Sequence, residues 1–505
     1  MFVVMHGTYP ILSCEQAAAF EAEYFGGDEA REWTAMQAAG RALAAAVAAD
    51  FGEIGGWPTR EARVLVLAGK GHNAGDALIA AEALHARFGP VAVDVVFVFG
   101  EEALRPLARR AWEEFSTRAR VVRTDASDWA ASYDLCLDGV FGFQFRAPLA
   151  GGAAELLARA NAWPVRMRVA VDLPSGLGEA AAFVADFTYA TGSVKTPVLG
   201  LANAGRVRFL DLGFFTNCNL LGYTMRGIGG GVLAELGGWR AAAGDKRTYG
   251  HLLVVAGSRR YPGAALMATE AALRAGTGLV TAAVPESLVP AFAARLPEAI
   301  WLGLPETPDG GLALEGLGLV REAFGRATAV LMGPGLGRER ETLALAREIA
   351  KASPRPLVID ADALQPEIVA AVGAGAVARV LTPHAGEFAR VEAAIPAGAV
   401  VVRKGPVTRI ERAGGGVGLA GADAVRYHSF FGGPVLARGG SGDLLAGIIG
   451  GLLAQGPEDA LLAAARGVVW HGRAADLLAR TRGAQAVRAT ELLDFLGSAL
   501  RSEVG

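Results

Sequence analysis

Gly439-Gly440-Ser441-Gly442-Asp443 stands near the end of the chain and runs directly into the small and apolar segment Leu444 to Ala454. Glycines let backbone N–H groups crowd around a ligand because they carry no Cβ atom. A helix that starts here adds free N–H donors and the positive end of its dipole, which is typical of a phosphate site. A carboxylate beside a phosphate is repelled unless it has a chemical task, so Asp443 is a candidate for taking a proton from an attacking hydroxyl. A tight turn ahead of a buried helix is the structural alternative.

The composition indicates a folded protein of two or more domains. The chain has 505 residues, of which 52% are hydrophobic and 20% charged, so it is too long for one ordinary core and too apolar for a disordered chain. The net charge is −3 and no dense basic run is present, so we expect no nucleic-acid partner. The apolar run after Asp443 is too short to span a bilayer, and no membrane association is expected.

The cysteine content favours a reducing compartment. Cys14, Cys136 and Cys218 are scattered and odd in number, which indicates neither a disulfide framework nor a zinc site. The first residues lack the charged region and long apolar core of a signal peptide. We therefore expect a cytoplasmic protein. Assembly as a homo-oligomer is a separate expectation.

Strand-like and helix-like segments alternate through the first half of the chain. Residues 15–50 are predicted as two helices separated by Gly26-Gly27-Asp28, and further helices are predicted at 78–88 and 106–115. Short apolar runs at 63–68, 91–99, 121–122, 135–138 and 165–171 are predicted as strands of a buried parallel sheet. This alternation predicts right-handed crossovers and a doubly wound α/β sheet.

Polar residues follow three of these strands. They are Asn73 with Asp76, Asp138, and Asp172 with Ser175. Ligands of doubly wound sheets bind beyond the carboxyl ends of the strands, and oxygen groups suit a hard cation, a ribose or a phosphate. Each residue alone is explained more simply as a turn or cap residue, but three strand ends together favour a site.

Three ordered motifs of this half resemble those of the NAD(P)H-hydrate epimerase domain, whose fold is Rossmann-like. They are Gly69-Lys-Gly-His-Asn-Ala-Gly-Asp-Ala77, Asp138-Gly-Val-Phe-Gly142 and Asp172-Leu-Pro-Ser-Gly176. The resemblance implies a potassium ion held by Asn73, Asp138 and Ser175, and Asp172 as a proton-transfer group. It implies that the hydrated nicotinamide nucleotide contacts His72, Asn73, Ala74, Gly75, Asp76, the segment from Gly142 to Pro148, and Asp172. Lys195 falls near a lysine that recurs in the family, and no role is assigned to it.

The first motif departs from the family pattern. His72 replaces an asparagine, Ala74 and Ala77 replace glycines, and Phe143-Gln-Phe-Arg146 replaces a turn of small residues. The stretch after Gly176 is also shorter. Because glycines allow close backbone approach and positive φ, we expect an epimerase site that is weakened or lost on a fold that is kept.

A glycine- and alanine-rich stretch between about residues 220 and 245 separates the two halves. We therefore place one domain at residues 1–225 and a second at residues 226–505. In the second half, strands are predicted at 251–257, 279–284, 329–332, 356–360, from 380, at 400–405 and at 406–410, with a helix at 265–275. They predict a second, largely parallel sheet with helices on both faces.

Several strand ends of the second half carry groups that suit a nucleotide. Lys404 and Thr408 supply a cation and a hydroxyl for phosphates, and His384 supplies a hydrogen-bonding group. Each also has a structural alternative: Lys404 as an exposed strand-end lysine, and His384 as a cap for a helix that starts before Glu387.

Seven ordered motifs of this half resemble those of the ADP- or ATP-dependent NAD(P)H-hydrate dehydratases, which have a ribokinase-like fold. They are Lys246-x-x-Tyr-Gly250, Gly257-Ser258…Tyr261-x-Gly-Ala-Ala265, Gly333-Pro-Gly-Leu-Gly337, Asp360-Ala-Asp-Ala-Leu364, Thr382-Pro-His-x-Gly-Glu387, Lys404-Gly-x-x-Thr408 and Gly440-Ser-Gly-Asp443. The resemblance implies that the nucleotide contacts Lys404, Gly405, Pro406, Val407, Thr408 and Gly442. It implies that the hydrate contacts Ala264, Gly335, His384 and Asp443.

Together the two halves resemble bifunctional enzymes that repair hydrated NADH and NADPH. The resemblance implies dehydration of the S hydrate at the expense of ADP or ATP with Mg²⁺, with Asp443 as the base, and epimerisation of the R and S hydrates if the first site is intact. A ribokinase-type small-molecule kinase with a non-catalytic N-terminal binding module is the alternative, since it would share Gly440-Ser-Gly-Asp443. The motif around His384 and the attached N-terminal half favour the dehydratase.

Overall fold

The computed structural model describes residues 5–501 apart from residues 59, 90, 150, 217, 372–376 and 415–423. The chain forms two compact units. Tyr9–Leu221 with Ala479–Ala484 makes the first unit, and Gly222–Leu478 with described residues near both chain ends makes the second. The expected division at residues 225 and 226 lies close to the change of unit at Leu221 and Gly222, at the start of the strand Met225–Ile228, which pairs with Arg426–Ser429.

The first unit is built on a parallel sheet. Its described strands are β1 (Thr8–Leu12), β2 (Ala62–Ala68), β3 (Val91–Phe97), β4 (Arg120–Val121), β5 (Tyr133–Gly139), β6 (Val165–Val171), β7 (Phe187–Thr191), β8 (Val194–Lys195) and β9 (Arg206–Leu210). Its described helices are α1 (Cys14–Phe25), α2 (Glu29–Asp50), α3 (His72–Phe88), α4 (Pro106–Phe115) and α5 (Gly152–Ala162). The sheet order is β4-β3-β2-β5-β6-β7-β9, and β1 forms a separate parallel pair with β8.

The order of this sheet locates a crevice. Strands β3 and β4 lie on one side of β2, while β5, β6, β7 and β9 lie on the other, so the winding reverses between β2 and β5. In doubly wound sheets the ligand crevice opens beyond the carboxyl ends of the strands at that reversal. The loops after β2, β5 and β6 carry the three polar strand ends identified in the sequence.

The second unit has the longer sheet. Its described strands are β10 (Met225–Ile228), β11 (His251–Val255), β12 (Leu279–Pro285), β13 (Ile300–Leu304), β14 (Ala329–Met332), β15 (Leu357–Ile359), β16 (Arg379–Leu381), β17 (Val400–Arg403), β18 (Thr408–Arg412) and β19 (Arg426–Ser429). Its described helices are α6 (Pro262–Arg274), α7 (Val289–Arg295), α8 (Leu317–Ala323), α9 (Arg340–Ala352), α10 (Pro366–Val369), α11 (Ala385–Val391), α12 (Ser441–Gln455), α13 (Ala460–Arg482) and α14 (Leu496–Arg501). The order is β13-β12-β11-β14-β15-β16-β17-β18-β19-β10, antiparallel only at β17-β18 and β18-β19 among the described pairs.

Helix α12 packs tightly in the second unit because its facing residues are small. A Cβ atom on Gly447 would lie 2.3 Å from the backbone oxygen of Ala268 on α6. The residues from Leu444 to Ala454 are buried, as the continuous apolar run predicted. This packing fixes where α12 begins, and therefore where Asp443 lies.

The predicted fold class of two doubly wound α/β domains is confirmed. Within the part of the chain that the structure describes, no helix is long and apolar enough to cross a membrane.

Candidate functional site

A cavity of about 570 Å³ opens at the crevice of the first unit. Its wall includes most of the residues that the sequence motifs singled out there: His72, Asn73, Asp76, Gly142 and Asp172. Aromatic side chains form much of the remaining surface, namely Phe25, Phe99, Phe141, Phe143, Phe145 and Phe214. An apolar wall with a few convergent polar groups is typical of a small-molecule site.

Asp172 and Lys195 form a buried ion pair in this wall. The Lys195 Nζ atom donates to Asp172 Oδ1 at 2.5 Å, and both side chains are almost fully buried. The other carboxylate oxygen, Oδ2, has no hydrogen-bond partner among the described residues. Burial raises the pKa of Asp172, while Lys195 opposes that rise. The pair therefore presents one oxygen that is free to accept a proton from a ligand.

The expected potassium ligands converge behind this pair. Ser175 donates its Oγ–H to Asp138 Oδ1 at 2.6 Å and its backbone N–H to Asp138 Oδ2 at 2.7 Å. The Asn73 amide nitrogen contacts the backbone oxygens of Phe141 and Val171 at 3.3 and 2.7 Å. Burial raises the pKa of Asp138 to about 6.

This group is rich in the oxygen atoms that a hard cation prefers. It combines one buried carboxylate, a hydroxyl and two backbone carbonyls, beside the Asn73 side chain. Among the described residues, Asp138 has no basic partner. A cation held by Asn73, Asp138 and Ser175 would supply the missing positive charge.

Two more carboxyl groups face the cavity. Asp76 on α3 is buried, and burial together with Asp172 and Glu21 raises its pKa well above the ordinary value. Glu21 on α1 also lines the cavity, and burial raises its pKa to about 7. The sequence motifs include Asp76 but not Glu21, because no motif covers α1.

The structure removes one of the reasons for the expected weakening of this site, the need for a positive φ at positions 74 and 77. Helix α3 begins at His72, so Ala74 and Ala77 lie on a helix and not in a loop. Neither has a positive φ, and both are fully buried. The predicted helix start at residue 78 was six residues too late, since Gly71 and not a later residue precedes the first turn.

A second cavity, of about 920 Å³, opens in the second unit. It lies where the sheet winding reverses between β11 and β14. Among its lining residues are Ala264, Gly335 and Asp443, which the sequence placed at the hydrate. The wall also contains Ser258, Arg260, Tyr261, Asp309, Gly337, Arg338, Glu339 and Asp362.

Asp443 lies in the first turn of α12, which begins at Ser441. The glycine-rich stretch therefore contributes to the helix itself, with Gly440 as the residue before it at a φ of 91°. Because Gly440 has no side chain, no side chain caps the N–H groups of the first turn, although the N–H of Ser441 donates to the backbone oxygen of Arg438 at 3.3 Å. Burial, and then Asp360, raise the pKa of Asp443 to about 7.

Lys404 stands beside the start of α12. A Cβ atom on Gly442 would lie 3.3 Å from Lys404 Nζ. The same ammonium group donates to Asp360 Oδ1 at 3.0 Å, and Thr382 Oγ1 donates to that oxygen at 2.7 Å. Burial lowers the pKa of Lys404, but the carboxylates of Asp360 and Glu387 outweigh it, so the net shift is upward. Lys404 is therefore charged and held in place, and is not a loose surface lysine.

His384 caps helix α11, as its structural alternative proposed. Its Nδ1 atom accepts hydrogen bonds from the N–H groups of Gly386 and Glu387 at 3.1 and 3.4 Å. Its own N–H donates to Glu387 Oε2 at 2.9 Å. The ring is 61% exposed, and its residue pairs through the backbone with Lys404.

The residues expected to bind the nucleotide lie at the turn from β17 to β18. Gly405 and Pro406 are exposed, Val407 is half-buried, and Thr408, the first residue of β18, is also half-buried. The described residues contain no cluster of three His, Cys, Asp or Glu that could hold a metal ion. The acidic group around Asp443 was missed in the sequence, since Asp360, Asp362 and Glu387 come from separate strand ends and only the fold brings them together.

Two family models match the chain. One described as NAD(P)H-hydrate dehydratase matches residues 252–497, and one described as YjeF-related protein N-terminus matches residues 34–196.

Curated relatives cover nearly the whole chain. The bifunctional NAD(P)H-hydrate repair enzyme Nnr of Gloeobacter violaceus is 40% identical over 484 residues, which is 88% of this chain and 89% of the relative. The protein of the same name from Moorella thermoacetica is 34% identical and covers 87% of this chain and 88% of its own. Among solved structures, an ADP/ATP-dependent NAD(P)H-hydrate dehydratase from Bacillus subtilis, co-crystallised with ATP and Mg²⁺, is 29% identical with a TM-score of 0.42 and covers 52% of this chain and 93% of its own.

Proposed function

The chain belongs to the family of bifunctional NAD(P)H-hydrate repair enzymes, and from this premise we propose which of its residues perform the two reactions. It is an NAD(P)H-hydrate dehydratase and an NAD(P)H-hydrate epimerase. We assign the dehydratase site to the second unit, within residues 226–505, and the epimerase site to the first unit, within residues 1–225.

Dehydration of the hydrate requires a better leaving group than hydroxide. Asp443 takes the proton of the ring hydroxyl while the hydroxyl oxygen attacks the terminal phosphoryl group of ADP or ATP. Phosphate then leaves with the electrons of the C–O bond, assisted by the lone pair of the adjacent ring nitrogen. Loss of a proton from the neighbouring carbon restores the reduced nicotinamide.

The donors around the phosphoryl group support this assignment. The uncapped N–H groups at the start of α12 stabilise charge on the moving phosphoryl group, and so does the nearby Lys404. Val407 and Thr408 contact the nucleotide beside Lys404, and Ala264, Gly335 and His384 contact the hydrate. The observation that carries the proposal is Asp443 in the cavity wall with a pKa of about 7, which suits a base at neutral pH.

The nucleotide is proposed to bring Mg²⁺ with it. Because the described residues form no carboxylate cage, the ion would be held chiefly by phosphate oxygens, as Mg²⁺ commonly is. It would neutralise phosphate charge near Asp360 and Asp362. At the epimerase site, we propose K⁺ held by Asn73, Asp138 and Ser175, with the role of orienting the loops that contact the hydrate.

The epimerase site is proposed to be active. Its support is the free Oδ2 of Asp172, held by Lys195 in a cavity that also contains His72, Asn73, Asp76 and Gly142. The three unpaired cysteines support a reducing compartment such as the cytoplasm. Assembly as a homo-oligomer is a separate expectation.

One experiment tests both reactions in the full chain. Purified protein is incubated with the S hydrate and ADP or ATP, and recovery of the absorbance of reduced nicotinamide is followed. The R hydrate is then supplied alone, and its conversion to the S hydrate is followed by chromatography without nucleotide. Failure to restore absorbance would refute the dehydratase assignment, and failure to convert the R hydrate would refute the epimerase assignment.

A further inference from the structure

Glu21 is a cavity carboxyl group that no motif includes. It projects from α1 into the wall of the first-unit cavity, which it shares with Asp76, Asp172 and Lys195. Helix α1 is held at its start by a capping box in which Ser13 and Gln16 exchange hydrogen bonds. Among the described residues, no hydrogen bond or ion pair engages the Glu21 carboxyl group, so it is available to a ligand.

The surroundings of Glu21 differ from those of Asp172. Burial raises the pKa of Glu21 to about 7, with Asp172 and Glu32 adding to the rise and Lys195 opposing it. The charged and titratable groups that face it are Lys195 from β8, Asp172 after β6, Glu32 from α2 and Asp76 from α3. Among the residues that the structure describes, Asp172 alone forms an ion pair with Lys195, at 2.5 Å. Glu21 is thus, like Asp76, a carboxyl group that readily holds a proton near neutral pH.

Epimerisation needs two proton-transfer groups, an acid and a base. The R and S hydrates differ at the ring carbon that carries the hydroxyl and adjoins the ring nitrogen. Exchanging them by loss and return of the hydroxyl requires an acid for the departing oxygen and a base for the incoming water. The free oxygen of Asp172 can serve one role but not both at once.

We propose that Glu21 is a second catalytic residue of the epimerisation, working with Asp172 in the same cavity. The inference rests on the proposed epimerase function of the first unit. Glu21 gives its proton to the hydroxyl, and the C–O bond breaks with both electrons on oxygen to release water. The ring-nitrogen lone pair forms a C=N bond to the same carbon.

Water then adds to the opposite face of that carbon and gives its proton to Asp172. The C=N electrons return to nitrogen, so the hydrate is restored with inverted configuration. One proton has moved from Glu21 to Asp172, and no oxidant or reductant takes part. Solvent in the open cavity resets the pair, and the reverse reaction uses the two carboxyl groups in exchanged roles.

This scheme fixes the pH dependence of epimerisation. The active enzyme carries one proton on the pair, in either direction of reaction, because the two working forms differ only in which carboxyl group holds it. The rate therefore falls as the pH rises above about 7, where Glu21 loses its proton.

The test uses Glu21→Gln, Glu21→Asp and the matched control Glu23→Gln, an exposed position on the same helix. Conversion of the R hydrate is measured from acidic to alkaline pH, and dehydration of the S hydrate with ADP or ATP is measured on the same samples. We expect Glu21→Gln to lower epimerisation by about 100-fold or more and to remove the decline above neutral pH. Glu21→Asp should restore part of the rate, and Glu23→Gln should behave like the wild-type enzyme.

The two activities separate the possible failures. Wild-type epimerisation with an unchanged rate and pH profile in Glu21→Gln would overturn the role of Glu21 and leave the proposed function standing. Absence of epimerisation in the wild-type enzyme would overturn the proposed function of the unit and the inference with it. A loss of dehydration in Glu21→Gln would indicate damage to the fold, and the Glu21→Asp profile would then decide.

Discussion

Asp443 is a carboxyl group with a pKa near neutral pH. Burial raises its pKa to about 7, and Asp360, Asp362 and Glu387 add to the rise while Lys404 opposes it. As the base it must be ionised, so the dehydration rate should increase as the pH rises through about 7. Initial rates across that range, with the S hydrate and nucleotide at saturation, measure this dependence. A rate that is flat between acidic and alkaline pH would contradict Asp443 as the base.

The variant Asp443→Asn should lose turnover while keeping its ligands. The side chain has almost the same size, so we expect nucleotide binding to persist and dehydration to fall by about 100- to 10,000-fold. Isothermal calorimetry with ADP measures binding, and the absorbance of reduced nicotinamide measures turnover. Epimerisation of the R hydrate by the same variant is the internal control. Near-normal dehydration would refute the base assignment.

Lys195 should matter for stability as well as for epimerisation. Removing one partner of a buried ion pair leaves the other charge uncompensated, which costs about 3–5 kcal/mol. Lys195→Met should therefore lower the free energy of unfolding by this amount, and Lys195→Met with Asp172→Asn should lower it less. Urea denaturation of both variants tests the coupling. Equal losses in the single and double variants would show that the pair has no such role.

Helix α12 packs closely against α6 because Gly447 at their contact has no side chain. Gly447 faces α6 so closely that an added Cβ atom would lie 2.3 Å from the Ala268 oxygen. Gly447→Ala should therefore destabilise the protein by about 1–3 kcal/mol through overpacking. Since the displacement reaches Asp443 on the same helix, dehydration should fall while epimerisation is unchanged.

A matched glycine provides the control for this element. Gly318 lies on α8 in open space, with nothing within 4 Å of an added Cβ atom. Gly318→Ala should be neutral or stabilising by about 0.5–1 kcal/mol, because alanine loses less backbone entropy in a helix. Thermal unfolding of the two variants compares them directly. Destabilisation by both would indicate a general intolerance of substitution in place of the packing proposed for α12.

For the helices and strands, the sequence predicted the type of most elements more reliably than the residue at which each begins. The strand Val165–Val171 and the helix Pro106–Phe115 were predicted at their observed bounds. The start of α3 was missed because Ala74 and Ala77 were interpreted as altered loop glycines. Helix α12 likewise begins at Ser441, inside the stretch predicted as a loop. Glycine-rich phosphate sites merge into the first helical turn, so residue type alone does not mark where that turn begins.

For the whole molecule, sequence could predict two doubly wound units but not which side chains meet. Asp443 was found through its motif, since the motif is local. The carboxylates that raise its pKa come from residues 360, 362 and 387, and their convergence depends on strand order. Glu21 was missed for the same reason, because it lies on a helix remote in sequence from Asp172. Side chains distant in sequence meet because of the order of the strands in the sheet, and local sequence patterns do not determine that order.

The two activities should respond differently to the monovalent cation. Because Asp138 has no basic partner among the described residues and lies with Asn73 and Ser175, replacing K⁺ by a bulky organic cation should lower epimerisation several-fold. Dehydration, measured with Mg²⁺ constant, should change much less. Parallel assays in potassium and tetramethylammonium buffers test this, with Asp138→Asn as the comparison variant. Equal sensitivity of both reactions would argue against a K⁺ site in the first unit.

Asp172 has an unusual backbone for a residue with a side chain, since its φ is 67°. Asparagine and glycine are the residues that most easily share this conformation with aspartate, yet both would leave the buried Lys195 without its counter-charge. A substitution at position 172 alone is therefore disfavoured, and so is a substitution at position 195 alone. Across descendants of this gene, the two positions should be kept together or exchanged together, so that a lineage which abandons epimerisation would reveal it by a paired replacement.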